Sequence, residues 1–183
     1  MIPLVFAFAM MVQADAPWYD PSQAQCYISL ANAPAGAPRF EDYPAVAHPI
    51  AKRAPVQLRT RWDQLFRTNL RNAAKDSPDF AGDFVVAQWG CGASCTSWAV
   101  VDPTAGRVLT VKGYENVVGI QAGDDARVLY RRSSRLIVTE GSADDENDSH
   151  DGLTYLVFNG KGFRKIAFYA TREYCVPTYY GPR

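Results

Sequence analysis

The sequence has no surplus of charge of either sign, since its 183 residues include 19 Lys and Arg against 19 Asp and Glu. Nonspecific binding to nucleic acid or to an anionic membrane needs a basic surplus, so neither is expected as a partner. No run of 18 apolar residues exists, which argues against an ordinary membrane-spanning helix and predicts no membrane insertion of the mature chain. The chain has only two histidines, His48 and His150. Two histidines are few for a histidine-based triad or a zinc site, so neither is favoured.

Common cofactor and catalytic motifs are also missing. The sequence contains neither a phosphate-binding loop nor a dinucleotide-binding glycine fingerprint, and no cofactor is expected. Ser94 lacks the second glycine and the strand-to-helix setting of a nucleophile elbow. The paired acids Asp124 and Asp125 are adjacent, so on a strand they would point to opposite faces instead of converging on one bond. These absences favour a protein that is not an enzyme.

What is present suffices for one packed domain. Hydrophobic residues make up 48% of the chain and aromatic residues 13%, which is ample for a core and incompatible with disorder throughout. Residues 1–14 are apolar and too short to cross a bilayer, as expected of a signal peptide. Cleavage after Ala14 is favoured over cleavage after Ala16, because the second would leave Pro17 beside the cut bond. Loss of this segment predicts a periplasmic or secreted protein.

The mature chain divides by composition into an arm and a body. Residues 15–55 are rich in Pro and Ala and carry several aromatic residues, which predicts an extended arm packed against the body. In residues 56–75 apolar side chains recur at steps of three and four, predicting an amphipathic helix that Pro78 prevents from continuing. The five basic residues of this segment are interpreted as a solvated face, with an anion site as the alternative. Residues 56–183 are expected to form a single domain.

The second half of the sequence has the pattern of a β-sheet. Short segments rich in β-branched and aromatic residues alternate with Gly, Pro, Asn and Asp turns. The predicted strands cover residues 83–89, 97–102, 107–112, 127–130, 135–139, 153–158 and 163–169. Because no helical period separates them, the predicted fold class is mainly β, an antiparallel meander. The pattern leaves barrel, sandwich and partial propeller-like arrangements open.

Four cysteines support export, because an even set in a chain with a signal peptide is typical of a disulfide framework. Cys91 and Cys95 are separated by three residues, whereas Cys26 and Cys175 lie near the two ends of the mature chain. The most economical of the three possible connectivities pairs Cys91 with Cys95 and Cys26 with Cys175. The long bridge would then be the main covalent constraint on the unfolded chain.

A resemblance becomes visible around these cysteines. The residues 80–82 (Phe-Ala-Gly) and 89–92 (Trp-Gly-Cys-Gly), followed by Cys95, resemble the signature of a family of small exported proteins of Gram-negative bacteria. The similarity extends over residues 58–170 and implies a periplasmic, β-rich fold with no assigned activity. The chain departs from the pattern at Asp83 and Phe84, where many relatives have His and Tyr. The resemblance therefore does not carry over any site that depends on this histidine.

The glycine- and cysteine-rich segment admits three interpretations. It is a structural turn locked by a disulfide, a thiol–disulfide exchange pair formed by Cys91 and Cys95, or a rigid loop for recognition. Exchange pairs usually have two intervening residues and lie at a helix N-terminus, and neither holds here. For the recognition loop, the candidate binding residues are Trp89, Gly90, Gly92, Ser94, Thr96 and Trp98.

A second candidate binding loop is acidic. Residues 144–151 hold five of the nineteen carboxylates, and the candidate residues there are Asp144, Asp145, Glu146, Asp148 and Asp151. A solvated hairpin loop is the simplest interpretation. A calcium site at Asp145, Asn147 and Asp151 is an alternative, although the spacing does not fit the helix–loop–helix calcium motif, and no metal is expected. An acidic loop would also steer the protein toward a basic partner.

These features favour a non-enzymatic periplasmic binding protein. A β-scaffold that presents loops has the layout of a recognition module, and an inhibitor or immunity protein for an envelope or secreted hydrolase fits that layout. The expected partner is a protein, a basic hydrolase being the leading type. A thiol–disulfide protein using Cys91 and Cys95 is the alternative, and an envelope structural protein is a third hypothesis.

Overall fold

The computed structural model describes residues 18–19, 25–119, 127–143, 151–176 and 179–180. The predicted signal peptide lies outside these residues. Within these residues, besides three 3₁₀-helices at Leu30–Asn32, Phe40–Asp42 and Thr171–Glu173, the regular elements are two short α-helices and twelve strands. They are α1 (Arg61–Leu65), α2 (Arg67–Ala73), β1 (Trp18–Tyr19), β2 (Gln25–Cys26), β3 (Val85–Gly92), β4 (Cys95–Asp102), β5 (Arg107–Leu109), β6 (Asn116–Val118), β7 (Arg127–Tyr130), β8 (Leu136–Ala143), β9 (Asp151–Phe158), β10 (Phe163–Ala170), β11 (Cys175–Val176) and β12 (Tyr179–Tyr180). In this part of the chain, no helix has the length and apolar character needed to cross a membrane.

The main sheet is antiparallel and follows the chain order, which confirms the predicted mainly β meander. Its strands lie in the order β10-β9-β8-β6-β4-β3, with β5 beside β4 and β7 beside β8. The β4–β5 hairpin and the β9–β10 hairpin both belong to this one sheet. The edge strands β3 and β10 do not pair with each other in the described chain. The sheet is therefore open, neither a closed barrel nor a set of propeller blades.

The sheet nevertheless curls on itself. Trp98 of β4 and Phe163 of β10 have ring centroids 5.8 Å apart, although their strands are four steps apart in the sheet. A flat sheet would separate these strands by roughly 19 Å, given about 4.8 Å per step. The curl encloses an inner apolar cluster. Its buried members are Phe80, Val86, Trp98, Val100, Val117, Val128, Ile137, Leu156 and Phe158.

Two different parts of the chain, the helices and the arm, pack on the outer face of the sheet. The helices cover β3 and β4, where Leu70 and Ala73 pack on Val85, Ala99 and other small residues. The arm covers β8 and β9, where Ile28 and Phe40 pack on a second cluster. The central strands are consequently buried on both faces. This explains why their sequences read as nearly continuous apolar runs rather than as alternating ones.

The helical segment is shorter than predicted. A helix over 56–75 was expected, whereas α1 begins at Arg61 because Thr60 is its N-cap. The Thr60 side chain accepts a hydrogen bond from the Asp63 N–H at 3.0 Å, and the Asp63 carboxylate accepts from the Thr60 N–H at 2.8 Å. This reciprocal arrangement satisfies backbone donors that have no partner inside the helix. At Phe66, with φ −101° and ψ 20°, the chain leaves helical geometry before α2 begins.

The residues before the helix dock against the sheet. The Gln57 N–H donates to the Gly106 carbonyl at 2.7 Å, and the Ala54 N–H donates to the Pro103 carbonyl at 2.9 Å. The extended part of the chain therefore runs on to Thr60. Sequence periodicity did not show this boundary, because Val56 and Leu58 continue the apolar spacing while packing from an extended segment.

Candidate functional site

The tip of the β3–β4 hairpin is a rigid, exposed turn. Gly92 pairs with Cys95, so the turn consists of Ala93 and Ser94. Ser94 has φ 51°, a backbone region that a residue with a side chain rarely adopts. The predicted bridge between Cys91 and Cys95 is present and closes this turn. Residues 90–93 are all exposed, so the tip projects from the sheet. The bridge leaves the tip little conformational freedom.

The predicted recognition residues do not all share this surface. Trp98 was predicted to belong to it, and that prediction is wrong, since Trp98 is 1% exposed and lies in the inner cluster. Its position on β4 places it on the inner face, where the curled sheet closes over it. Thr96 is half-buried and pairs with Val117 of β6. Gly90, Gly92 and Ser94 remain as the parts of the tip that contact solvent.

Trp89 faces outward and forms an aromatic shelf with two helix residues. Its ring centroid lies 5.5 Å from that of Trp62 and 4.9 Å from that of Phe66, and the last two are 4.8 Å apart. All three residues are half-buried. Leu65, next to Phe66 in α1, is 70% exposed. The shelf therefore joins the base of the hairpin to the helices.

Strand register brings the two predicted loops to the same end of the sheet. Cys95 pairs with Val118, Val118 pairs with Ser142, and Ser142 pairs with Asp151. These four residues form one row across β4, β6, β8 and β9. The Gly119 N–H also donates to the Ser94 carbonyl at 2.6 Å, which ties the hairpin tip to the end of β6. The disulfide-locked turn and the ends of the acidic segment are thus lateral neighbours, and we call this row and the turn the loop end.

The acidic segment itself is described only at its boundaries. Asp144, Asp145, Glu146, Asn147 and Asp148 lie outside the described residues, as does His150. Asp151 is half-buried at the start of β9. Among the described residues, no group of three or more His, Cys, Asp or Glu gathers as a metal site would require. The calcium alternative therefore remains a prediction from the sequence.

The turn at residues 80–82 (Phe-Ala-Gly) docks the arm. The Ala81 N–H donates to the Ser134 carbonyl at 3.1 Å, and the Gly82 N–H donates to the Arg132 carbonyl at 2.7 Å. A Cβ atom on Gly82 would lie 2.1 Å from the Val46 carbonyl oxygen, a distance that real side chains do not reach. The Phe-Ala-Gly turn thus holds the arm and the β7–β8 connection together. Its role in this structure is architectural.

Asp83, which follows this turn, is paired with a histidine of the arm. The Asp83 carboxylate accepts the His48 N–H at 2.6 Å and contacts His48 Nδ1 at 2.7 Å. Burial works against ionisation of Asp83, but these hydrogen bonds and the nearby Arg132 outweigh it and lower the pKa of the carboxyl. The His48 side chain is 68% exposed. The pair anchors the arm, and sequence alone did not indicate it because 35 residues separate the partners.

Two further depressions occur beside the sheet. One, of about 430 Å³, lies between the arm and the sheet, lined by Leu30, Phe40, Arg131 and Tyr155 among others. Tyr155 is fully buried, its hydroxyl has no hydrogen-bond partner among the described residues, and burial raises its pKa to about 12. The second, of about 340 Å³, runs beside β3 and is lined by polar side chains of α2.

Comparisons with protein-family models, with curated proteins and with the solved structures found no match to this chain.

Proposed function

We propose that the chain is a non-enzymatic binding protein of the periplasm or of the secreted fraction, and that it recognises its partner through the loop end. The observation that carries the proposal is the row Cys95–Val118–Ser142–Asp151, which joins two loop regions that are distant in sequence. Loops held by a rigid scaffold are the usual location of recognition residues. Two disulfides are compatible with an oxidising compartment.

The composition around the loop end indicates the type of partner. Both segments that leave this end, 120–126 and 144–150, contain Asp or Glu and no Lys or Arg. Anionic segments accelerate association with a cationic protein and impose a dependence on ionic strength. The proposed partner is a basic envelope or secreted hydrolase, which this protein would inhibit or neutralise.

The test is affinity capture with matched variants of the turn. Residues 15–183 are immobilised and exposed to the periplasmic and secreted fractions of the host, and retained proteins are identified by mass spectrometry. We expect one stoichiometric hydrolase. Ala93→Tyr, at the exposed tip, should abolish its capture, whereas Lys161→Tyr, on the exposed turn at the opposite end of the sheet, should not.

The contribution of the acidic segment to association has a separate readout. Replacing Asp144, Asp145, Glu146 and Asp148 with Lys should slow association with the captured hydrolase at low salt by at least about tenfold. An unchanged rate would remove the acidic segment from recognition. Equal capture by both tyrosine variants would remove the loop end altogether.

A thiol–disulfide function remains the second candidate, because the bridge between Cys91 and Cys95 lies on an exposed turn. An exchange pair should be easily reduced, whereas a structural bridge has a potential below about −300 mV. Mixed disulfides between Cys91 or Cys95 and several envelope proteins in the same capture experiment would favour the exchange function. Their absence, with a low potential, would exclude it.

A further inference from the structure

The two edges of the main sheet are protected to very different degrees. The edge strand β10 carries the exposed Arg164 and Lys165 and has a register irregularity beside Lys165. Charged residues and bulges on an edge discourage pairing with a further strand. The other edge strand, β3, also has a register irregularity, between Gly90 and Gly92, but it has no charged residue from Val85 to Gly92. Strand β3 is thus the edge that has no charged residues to discourage the addition of a further strand.

Hydrogen bonds show which groups of β3 face outward. The Phe84 N–H donates to the Phe80 carbonyl at 3.0 Å, and the Val86 N–H donates to Asp79 Oδ1 at 2.9 Å. Both partners lie on the side away from β4. Because orientation alternates along an antiparallel strand, the N–H and carbonyl groups of Gln88 and Gly90 also point away from β4. Both residues are exposed, and β3 pairs with no strand other than β4 in the described chain.

A polar groove accompanies this open edge. Its volume is about 340 Å³, and Asn69, Asn72 and Asp76 of the α2 region face Val86, Ala87 and Gln88 across it. Asn69 and Asn72 are three positions apart in α2 and so share one face, and Asp76 lies three residues beyond the end of the helix. Amide side chains both donate and accept hydrogen bonds. An extended peptide in the groove would find backbone partners on β3 and amide partners on the helix.

We propose that the β3 edge binds an extended segment of a partner protein by strand addition, with the backbone of Gln88 and Gly90 as its pairing groups. This mode of recognition takes its affinity from main-chain hydrogen bonds and its selectivity from neighbouring side chains. The surface adjoins the turn at Ala93–Ser94 through Gly90, and the inference does not depend on the identity of the partner proposed above.

Charge decides the chemistry of the bound segment. Residues 51–76, which include both helices, carry seven Lys and Arg and only two Asp. One of the two, Asp63, is 5% exposed and holds backbone N–H groups at the helix start. If β3 paired with β3 of a second copy about a two-fold axis, the two basic segments 51–76 would lie side by side. Of these cations, Lys75 lies at the groove itself, with its Nζ 3.4 Å from Oδ1 of the lining residue Asn72. The segment is therefore an acidic one from another protein.

The probe is a random octapeptide library displayed on phage and selected against immobilised residues 15–183. We expect enriched peptides in which Asp or Glu alternates with β-branched or aromatic residues. In hydrogen exchange followed by NMR, an enriched peptide should slow exchange at Gln88 and Gly90 more than about tenfold. Exchange at Val86 should stay unchanged, because its N–H is already bonded to Asp79.

Matched variants distinguish the contribution of the Gln88 backbone to peptide binding from that of its side chain. Gln88→Ala keeps the N–H and should leave peptide affinity within about twofold, whereas Gln88→Pro removes it and should weaken binding by at least about fivefold. Lys75→Glu should weaken binding of an acidic peptide, while Lys161→Glu, on the distant β9–β10 turn, should not. If Gln88→Pro does not fold, the exchange measurement on the unmodified chain decides.

Three results would overturn the inference. They are failure to enrich any peptide over a blank surface, slowed exchange confined to the Ala93–Ser94 turn, and concentration-dependent dimerisation that protects Gln88 without peptide. The last would identify a second copy as the occupant. Because the selection needs no host protein, its failure leaves the hydrolase capture test unaffected.

Discussion

At the scale of single residues, the turns of this protein are fixed by side chains and glycines that bind backbone. Asp102 is the clearest case. One carboxylate oxygen accepts the Thr104 and Ala105 N–H groups, both at 3.0 Å, and the other accepts Arg107 Nη2 at 2.8 Å. Gly106, within the same turn, leaves room for the Pro55 carbonyl, which a Cβ would approach to 2.0 Å. The Asp-x-x-x-Gly sequence thus forms the turn and receives the arm.

The Asp102 carboxylate predicts a dependence of stability on pH. Burial alone would raise its pKa, but the hydrogen bonds from Thr104 and Arg107 outweigh burial and hold the pKa below its ordinary value. Such a group stabilises the folded state above its unfolded pKa of about 4, and this contribution is lost as pH falls through the folded pKa. We expect Asp102→Asn to lower the free energy of unfolding by roughly 1–3 kcal/mol at pH 7 and by less at pH 3.

Urea unfolding at the two pH values measures this effect. Glu173→Gln, a change of similar size at an exposed side chain, serves as the control and should be nearly neutral at both. An equal loss for Asp102→Asn at pH 3 and pH 7 would show that shape rather than charge explains the role of Asp102.

At the scale of elements, the two disulfides have different tasks. The bridge between Cys26 and Cys175 spans 149 residues and joins β2 to β11. The bridge between Cys91 and Cys95 spans only four and lies within one hairpin. Closing a long loop removes far more conformational freedom from the unfolded chain than closing a short one. The long bridge therefore acts on the stability of the whole domain and the short one on the shape of its turn.

Double replacement by serine should separate these tasks. In the chain-entropy description, Cys26→Ser with Cys175→Ser lowers the free energy of unfolding by about 5 kcal/mol. Cys91→Ser with Cys95→Ser lowers it by about 2 kcal/mol. Denaturant unfolding measures both, and capture of the hydrolase should fall more in the second variant. Similar destabilisation by the two pairs would contradict the assignment.

At the scale of the whole molecule, the curl of the sheet depends on side chains rather than on strand pairing. The edges β3 and β10 share no described pairing, yet Phe163 of β10 contacts rings from distant parts of the sheet. Its ring centroid lies 5.8 Å from that of Trp98 and 6.3 Å from that of Phe80. Further along β10, Lys165 Nζ donates to the Tyr114 hydroxyl at 3.1 Å. These contacts hold the two halves of the sheet around the inner cluster.

Removing the Phe163 ring should therefore loosen the curl. We expect Phe163→Ala to lower the free energy of unfolding by about 3 kcal/mol, the lower end of the cost of deleting a large core side chain, because Phe163 is half-buried against the inner cluster. Phe168→Ala, on the same strand but absent from the inner cluster, should cost clearly less. Denaturant unfolding provides the comparison, and equal costs would show that β10 is held by its pairing with β9 alone.

Much of the local structure follows from the sequence, but its boundaries do not. Strand β7 has the predicted limits, and the other predicted strands are present with shifted ends. The three-residue strand β6 was not predicted, because a segment of that length has no period to detect. The helix was predicted five residues too long at its start, because apolar spacing does not distinguish an extended docked segment from a helix until the Thr60 cap is considered.

At the candidate site, the sequence also does not show which face of its strand each side chain occupies. A sequence places Trp89 and Trp98 nine residues apart in equally apolar strands and does not reveal that one faces the helices and the other the enclosed core. That difference follows from the face of the strand each occupies and from the curl, which is a property of all the strands together. The pairing of His48 with Asp83 was likewise invisible, since it depends on where the arm docks.

The sequence by itself determined the fold class and the turn chemistry and favoured one of three disulfide connectivities, because each rests on local spacing, residue type or a small set of alternatives. Only the tertiary structure decided that the β3–β4 turn and the ends of the acidic segment share one end of the sheet. It also decided that β3 is the edge without charged residues. Both depend on strand order and register, which arise from packing between residues far apart in the chain and have no local signal.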